Sequence, residues 1–132
     1  MSPDLFVLDT SAVLALIEDE AGADRVEQLL RSAETVLPWP VLMETYYITQ
    51  RERGQAEADR RYAMLKRAAD VIWETDEPVL LTAARLRGEH PISFADALIA
   101  AYALRHDATL VHRDPEYAAL EGTVKLEPLP SK

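Results

Sequence analysis

Short apolar runs alternate with longer segments in which apolar residues recur every three or four positions. The runs predict short buried strands and the longer segments predict helices. The predicted strands are Leu5–Leu8, Thr35–Leu37, Val71–Trp73 and Thr109–Val111, with a candidate fifth at Val124–Leu126. The predicted helices cover residues 12–17, 23–33, 40–53, 55–68, 77–87 and 94–106, and a helical turn follows Pro115.

Strands that alternate with helices of ten or more residues are typical of βαβ units and a parallel sheet. We therefore predict an α/β fold with three layers, α/β/α, around a central parallel sheet of four to five short strands. The sequence contains no internal repeat, low-complexity segment or linker. We expect residues 1–132 to form a single domain.

Composition narrows the class of protein. The chain is 48% hydrophobic and 28% charged, as in globular domains, and it has no cysteine for disulfides or thiolate chemistry. Its apolar runs are far shorter than the roughly 18 residues that span a bilayer, and no signal peptide is visible. We expect no membrane association and a cytoplasmic location. The net charge of −9 opposes bulk attraction to nucleic acids and suits a protein that binds cations or a basic partner.

Four acids occupy unusual positions in this pattern. Asp9 and Asp114 follow predicted strands, whereas Glu44 and Asp96 lie in the first turns of helices on otherwise apolar faces. Each has an ordinary explanation: Asp9 and Asp114 are good helix caps, and Asp96 suits a helix dipole. Glu44 could pair with an arginine or lie on a solvated face.

Taken together, the four acids can project over the carboxyl edge of one parallel sheet, which is where α/β proteins bind ligands. Such a cluster needs cations to remain ionised, and oxygen-rich sites without histidine suit Mg²⁺ or Mn²⁺. These ions make water nucleophilic and stabilise the leaving oxygen of a phosphodiester. The pattern therefore indicates a metal-dependent nuclease.

The same segments resemble PIN-domain ribonucleases, specifically the VapC-type toxins of bacterial toxin–antitoxin pairs. They span nearly the whole chain in the family's order: Val7–Ala12, Val41–Glu44, Ser93–Ala103 and His112–Tyr117. The resemblance implies a Mg²⁺- or Mn²⁺-dependent endoribonuclease whose catalytic, metal-binding acids are Asp9, Glu44, Asp96 and Asp114. It also implies an RNA substrate such as tRNA, a homodimer and an inhibitory antitoxin.

Two polar residues beside the first acid complete the predicted site. The resemblance suggests that Thr10 or Ser11 orients water or phosphate. The family usually has Thr-Asn before its fourth acid, where this chain has His112-Arg113, while Tyr117 keeps the usual aromatic residue.

Two other functional classes are compatible with the sequence. One is a non-catalytic metal-binding or interaction module on the same fold. The other is a phosphoryl-accepting domain, either a receiver that would use Asp76 after the third strand or a phosphatase with Asp9 as nucleophile. Basic residues in the two middle helices form either an RNA-contact surface or an ordinary solvated face: Arg51, Arg53, Arg60, Arg61, Lys66 and Arg67.

Overall fold

A computed structural model of the chain describes residues 4–131 and leaves residues 1–3 and 132 outside the description. The chain alternates between strands and helices, with a 3₁₀ helix, Pro115–Leu120, between the last two strands. The strands are Leu5–Leu8 (β1), Glu34–Pro38 (β2), Asp70–Ile72 (β3), Thr109–His112 (β4) and Leu126–Pro128 (β5). The α-helices are Thr10–Ile17 (α1), Ala23–Ser32 (α2), Trp39–Arg53 (α3), Gln55–Ala68 (α4), Glu77–Glu89 (α5) and Phe94–Arg105 (α6).

The five strands form one parallel sheet in the order β3-β2-β1-β4-β5. Helices flank this sheet, so the predicted α/β fold class is confirmed. The chain extends the sheet in one direction from β1 to β3 and then returns to add β4 on the other side of β1. The carboxyl ends of β1 and β4 therefore flank a topological switch point, where open α/β sheets bind ligands.

This strand order also separates the fold from one of the alternatives. In receiver domains the order is 2-1-3-4-5, so that β1 lies between β2 and β3. Here β1 lies between β2 and β4. Asp76, the residue that a receiver would phosphorylate, caps α5 instead, and its Oδ1 accepts a 3.0 Å hydrogen bond from the amide of Val79.

The central strands and helix α6 make the core. Side chains of β1 and β4 such as Val7, Leu8, Leu110 and Val111 are fully or almost fully buried, and so is the segment Ile99–Ala103 of α6. A helix that is apolar on nearly all sides is expected in the interior. Helix α6 therefore carries Asp96 into the protein.

The predicted fifth strand differs most from the structure. The sequence pattern predicts it at 124–126, whereas β5 is Leu126–Pro128, with Leu110 opposite Leu126 and His112 opposite Pro128. Val124 lies before the strand and is buried in the core. Pro128 is the last residue of β5, an edge strand, where the missing amide hydrogen of proline is tolerated.

Other boundaries move by a few residues at most. Helix α1 begins at Thr10, and β3 ends at Ile72 with Trp73 outside it. Because α3 begins at Trp39, Glu44 lies in its second turn and not in its first. Gly54 separates α3 from α4 as predicted, with a φ of +91° that favours glycine. In residues 4–131, every helix is too short or too polar to cross a bilayer.

Candidate metal centre

Asp9 and Asp114 lie on the two sides of the switch point. Asp9 follows β1, its amide donates to the carbonyl of Val111 at the end of β4 (3.1 Å), and its Oδ1 accepts from the amide of Ala12 (2.8 Å). Asp114 follows β4 and caps the 3₁₀ helix, with Oδ1 accepting from the amide of Glu116 (2.9 Å). Both residues are helix caps, as their ordinary explanation predicts, and both also lie at this edge of the sheet.

Asp96 is only 8% exposed in the first turn of α6. Ser93 begins this helix, and its Oγ accepts from the amide of Asp96 at 3.1 Å. One carboxylate oxygen of Asp96, Oδ1, accepts a hydrogen bond of 3.1 Å from the hydroxyl of the buried Tyr117. These contacts fix both the helix start and the direction of the carboxylate.

Asp96 and Asp114 form a cluster with Glu116, an acid that our sequence analysis did not select. Each of the three offers a carboxylate oxygen, and these oxygens lie within 4.8 Å of one another. The one sequence signal for Glu116 was its position two residues after Asp114, since a tight helical turn keeps both acids at the same sheet edge. Its apparent exposure in a loop made it indistinguishable from the chain's many surface acids.

Glu44 approaches the site from α3 and is half-buried. Its Oε1 accepts a 2.6 Å hydrogen bond from the Thr10 hydroxyl, and its charge raises the pKa of Asp9. In the described part of the chain, no lysine, arginine or histidine forms an ion pair with Glu44 or with the other acids of the site. The alternative of a structural glutamate paired with arginine therefore does not apply.

The electrostatics of the site reflect crowded acids without a cation. Burial, together with the smaller effects of the charges on Asp114 and Glu44, raises the pKa of Asp9 to about 7, although the hydrogen bonds from Ala12 and Ser11 lower it. Burial, a hydrogen bond with Glu116 and the charge of Asp114 raise the pKa of Asp96 to about 8. The protein alone thus stabilises the ionised acids poorly, and a bound divalent cation would stabilise them. Oxygen donors of this kind fit Mg²⁺ or Mn²⁺.

The polar residues beside the acids hold the carboxylates in place. Ser11 donates from Oγ to Oδ1 of Asp9 at 2.7 Å and accepts from the amide of Arg113 at 2.8 Å. Thr10 donates to Glu44, as described above. The structure thus places both hydroxyls on carboxylates; their predicted contact with water or phosphate stays a prediction.

Tyr117 and His112 close the site on its buried side. Burial and the charges of Asp9 and Asp96 raise the pKa of Tyr117 well above its usual range, so its hydroxyl stays protonated and can donate to Asp96. The His112 ring packs against Tyr117 with ring centroids 4.9 Å apart. Burial lowers the pKa of His112, which favours the neutral imidazole.

The middle helices carry fewer free cations than the sequence suggested. Arg53 and Arg61 both contact Glu18 at the end of α1, and Arg60 and Arg61 both contact Glu57. Two of the six basic residues, Arg53 and Arg61, thus fasten the α3–α4 pair to α1. Arg51 and Lys66 lie over the rings of Tyr47 and Tyr62.

Comparisons with solved structures support the same fold. The chain is similar to VapBC2 of Rickettsia felis, solved with a DNA fragment from its promoter, at 19% identity and a TM-score of 0.79, covering 96% of this chain and 99% of that one. It is similar to the DNA-bound VapBC of Salmonella typhimurium, at 17% identity and a TM-score of 0.77, covering 95% and 98%. VapC20 of Mycobacterium tuberculosis, a sarcin-ricin loop cleaving toxin, shares 20% identity and a TM-score of 0.73, covering 95% and 99%.

Sequence comparison identifies the family. No curated protein sequence matches the chain. The model of the PIN domain matches residues 6–122, which include every acid of the site. With this match over most of its length, the chain belongs to the PIN-domain family.

Proposed function

We propose that the protein is a VapC-type endoribonuclease that hydrolyses RNA phosphodiester bonds with Mg²⁺ or Mn²⁺ and is inhibited by an antitoxin. One observation carries the proposal: buried and half-buried acids from separate elements meet at the switch point with no basic side chain of residues 4–131 paired to them, and two have pKa values near 7 and 8. Structural acids are normally paired or solvated. Acids that are neither are expected where a metal ion binds.

Asp9, Glu44, Asp96 and Asp114 would hold the cation, with Glu116 as an additional ligand. A bound ion of this kind lowers the pKa of water and stabilises charge on the departing oxygen of a phosphodiester. Ser11 and Thr10 orient the Asp9 and Glu44 carboxylates, and Tyr117 orients Asp96. These hydrogen bonds orient the carboxylates in the way that outer-shell partners orient metal ligands in other proteins.

The partners follow from the same proposal. Similar solved structures include a toxin–antitoxin complex from Klebsiella pneumoniae and the two DNA-bound VapBC structures described above, and they support an antitoxin partner for this chain. An acidic site on a chain of net charge −9 favours a basic antitoxin segment.

A cleft of about 600 Å³ between α5 and α6, bordered by the exposed Leu80 and Phe94, offers an apolar surface for the proposed homodimer. Sedimentation of the wild type and Leu80→Glu tests the dimer; two monomeric proteins would contradict it.

Cleavage of a mixed tRNA and structured-RNA pool tests the activity. The wild type should give discrete fragments with Mn²⁺ or Mg²⁺, and both EDTA and Asp9→Asn should abolish them. Asp76→Asn is the matched control, because asparagine caps a helix as well as aspartate and Asp76 caps α5. It should cleave like the wild type.

Two results would contradict the proposal. Fragments that persist in EDTA or with Asp9→Asn would exclude this metal centre as their source. Intact RNA after incubation with folded, Mn²⁺-loaded protein would favour the non-catalytic module. A circular dichroism spectrum of Asp9→Asn that matches the wild type would show that lost cleavage reflects the site and not the fold.

A further inference from the structure

His112 is a buried imidazole at the edge of the candidate metal centre. It ends β4 and is 5% exposed. A buried imidazole at this position needs a structural or chemical reason, since burial disfavours its charged form.

The imidazole makes the hydrogen bond of a short polar side chain. Its Nδ1 accepts from the amide of Asp114, two residues ahead, at 3.2 Å. Serine, threonine, asparagine and aspartate make this same bond from residue i to residue i+2 in tight turns. Since Nδ1 is the acceptor, the proton of the neutral ring lies on Nε2.

A second contact connects His112 to Asp96. The ring packs on the fully buried ring of Tyr117, with centroids 4.9 Å apart and planes at 56°. The hydroxyl of Tyr117 donates to Oδ1 of Asp96. The position of His112 therefore influences two acids, one through a backbone amide and one through an aromatic ring.

The neighbouring amide, that of Arg113, has its own acceptor on helix α1. The amide of Arg113 donates to Oγ of Ser11, whose hydroxyl donates to Asp9. Two consecutive amides after β4 thus have separate acceptors, Ser11 on the side of Asp9 and His112 on the side of Asp114. If one acceptor is lost, only one of these two amides keeps a side-chain acceptor.

We propose that His112 is a positioning residue of the metal centre: its Nδ1 and ring fix the turn of Asp114 and the Tyr117 hydroxyl, and thereby the carboxylates of Asp114 and Asp96. The inference rests on the metal site of the proposed function and not on RNA cleavage. In other proteins, residues that orient metal ligands change metal affinity or activity about 10- to 100-fold when they are mutated.

Two substitutions separate this role from simple packing. His112→Asn keeps an acceptor at the same number of bonds from the backbone, so its Oδ1 can replace Nδ1. His112→Leu fills the space but accepts no hydrogen bond. Mn²⁺ affinity, measured without RNA by the electron paramagnetic resonance signal of the free ion, should fall about 10-fold in His112→Leu and return close to the wild-type value in His112→Asn.

Thr45→Val is the matched control. Thr45 lies next to Glu44, is 1% exposed, and its hydroxyl has no hydrogen-bond partner among the described residues. Its replacement by an isosteric side chain should leave the Mn²⁺ affinity unchanged. If His112→Leu does not fold, His112→Gln replaces it, because glutamine carries its acceptor one bond farther out and should bind Mn²⁺ as weakly as predicted for leucine.

Nitrogen NMR of the metal-free protein provides a second measurement that packing alone would not affect. The His112 ring should be neutral with its proton on Nε2. A proton on Nδ1 would overturn the inference, and so would wild-type Mn²⁺ affinity in His112→Leu or equal losses in His112→Asn and His112→Leu. The expected Mn²⁺ pattern in a protein that cleaves no RNA would support the role of His112 while contradicting the proposed ribonuclease. RNA cleavage together with unchanged Mn²⁺ affinity in the variants would support the proposed ribonuclease and contradict the role of His112.

Discussion

The hydroxyl of Thr10 donates a 2.6 Å hydrogen bond to Oε1 of Glu44, 34 residues away in the sequence. Thr10 is the first residue of α1 and Glu44 lies on α3, so this bond joins the helix that follows the Asp9 strand to the helix that carries the second predicted acid. It is the contact that fixes Glu44 relative to the sheet edge.

Thr10→Val should weaken metal binding more than it weakens the fold. Valine keeps the shape of threonine but leaves the Glu44 carboxylate free to turn toward solvent. We expect a loss of about 10-fold in Mn²⁺ affinity or RNA cleavage, and a destabilisation near 1 kcal/mol for one lost hydrogen bond. Titration with Mn²⁺ and urea denaturation measure the two effects.

The conservative control is Thr10→Ser, which retains the hydroxyl and should bind Mn²⁺ close to the wild-type level. If Thr10→Ser and Thr10→Val lose equal affinity, the methyl group of Thr10 and not its hydroxyl is what positions Glu44.

Glu116 should behave as a metal ligand although it neither ends a predicted strand nor interrupts an apolar helix face. Its carboxylate lies in the cluster with Asp96 and Asp114, and Glu116→Gln removes one negative charge from it. We expect weaker Mn²⁺ binding, and a lower pKa for Asp96 because the like charge of Glu116 is lost. Mn²⁺ titration and carboxyl carbon NMR measure these two effects.

Glu121→Gln is the matched control for Glu116. Glu121 follows the same 3₁₀ helix but is exposed and lies outside the three-acid cluster. Equal Mn²⁺ affinities for the two variants would show that Glu116 does not bind the ion.

The contrast between Asp96 and Glu116 shows what the sequence could predict. Asp96 interrupts an apolar helix, and a charge on a buried face needs an explanation, so local pattern alone selected it. Asp9 was predictable because a buried strand leads directly into it. Glu116 follows a proline on a polar segment, and its approach to Asp96 depends on how α6 packs against the turn after β4. Such a contact has no local signature.

The start of β5 shows the same limit for the fold. Val124 and Leu126 are both apolar, and the alternation of side chains does not indicate which one starts the ladder. The register is set by β4, with the amide of Leu110 donating to the carbonyl of Lys125 and that of Leu129 donating to His112. A partner strand distant in sequence therefore decides the boundary.

Without metal, the protein should become less stable as pH rises. The pKa values of Asp9 and Asp96 are about 7 and 8 in the folded protein against 3.8 ordinarily, so folding favours their protonated forms. This stabilisation is complete below about pH 4 and is lost as pH rises through about 7 to 8. Urea denaturation in EDTA should give a lower free energy of unfolding at about pH 9 than at about pH 5.

Asp96→Asn isolates the contribution of one acid. This variant cannot ionise at residue 96, so its stability in EDTA should fall less over the same pH range. Mn²⁺ should restore the stability of the wild type at high pH because it binds the folded state. It should increase the stability of the variant by a smaller amount. Parallel pH profiles for the two proteins in EDTA would mean that Asp96 ionises normally and that the site does not need a cation.

Arg61 should contribute to stability far more than its neighbour Arg60. The Arg61 side chain is 6% exposed and contacts Glu18, Glu57 and Thr49, whereas that of Arg60 is 61% exposed and contacts Glu57. Arg61→Met keeps the apolar stem and removes the hydrogen bonds to charged partners, which should cost about 2 kcal/mol. Arg60→Met removes a largely exposed pair and should cost less than about 1 kcal/mol.

Urea denaturation of both variants measures this difference in stability. RNA cleavage shows whether the loss of Arg61 affects the fold alone or also the activity. Glu18 caps the end of α1, the helix that Asp9 begins. Arg61 joins Glu18 to the α3–α4 pair, and α3 carries Glu44. Because Arg61 lies outside the metal cluster, Arg61→Met should cleave RNA normally at low temperature and lose activity only when it unfolds. A loss of cleavage in the fully folded variant would instead place these arginines on the RNA-contact surface that the sequence left as an alternative.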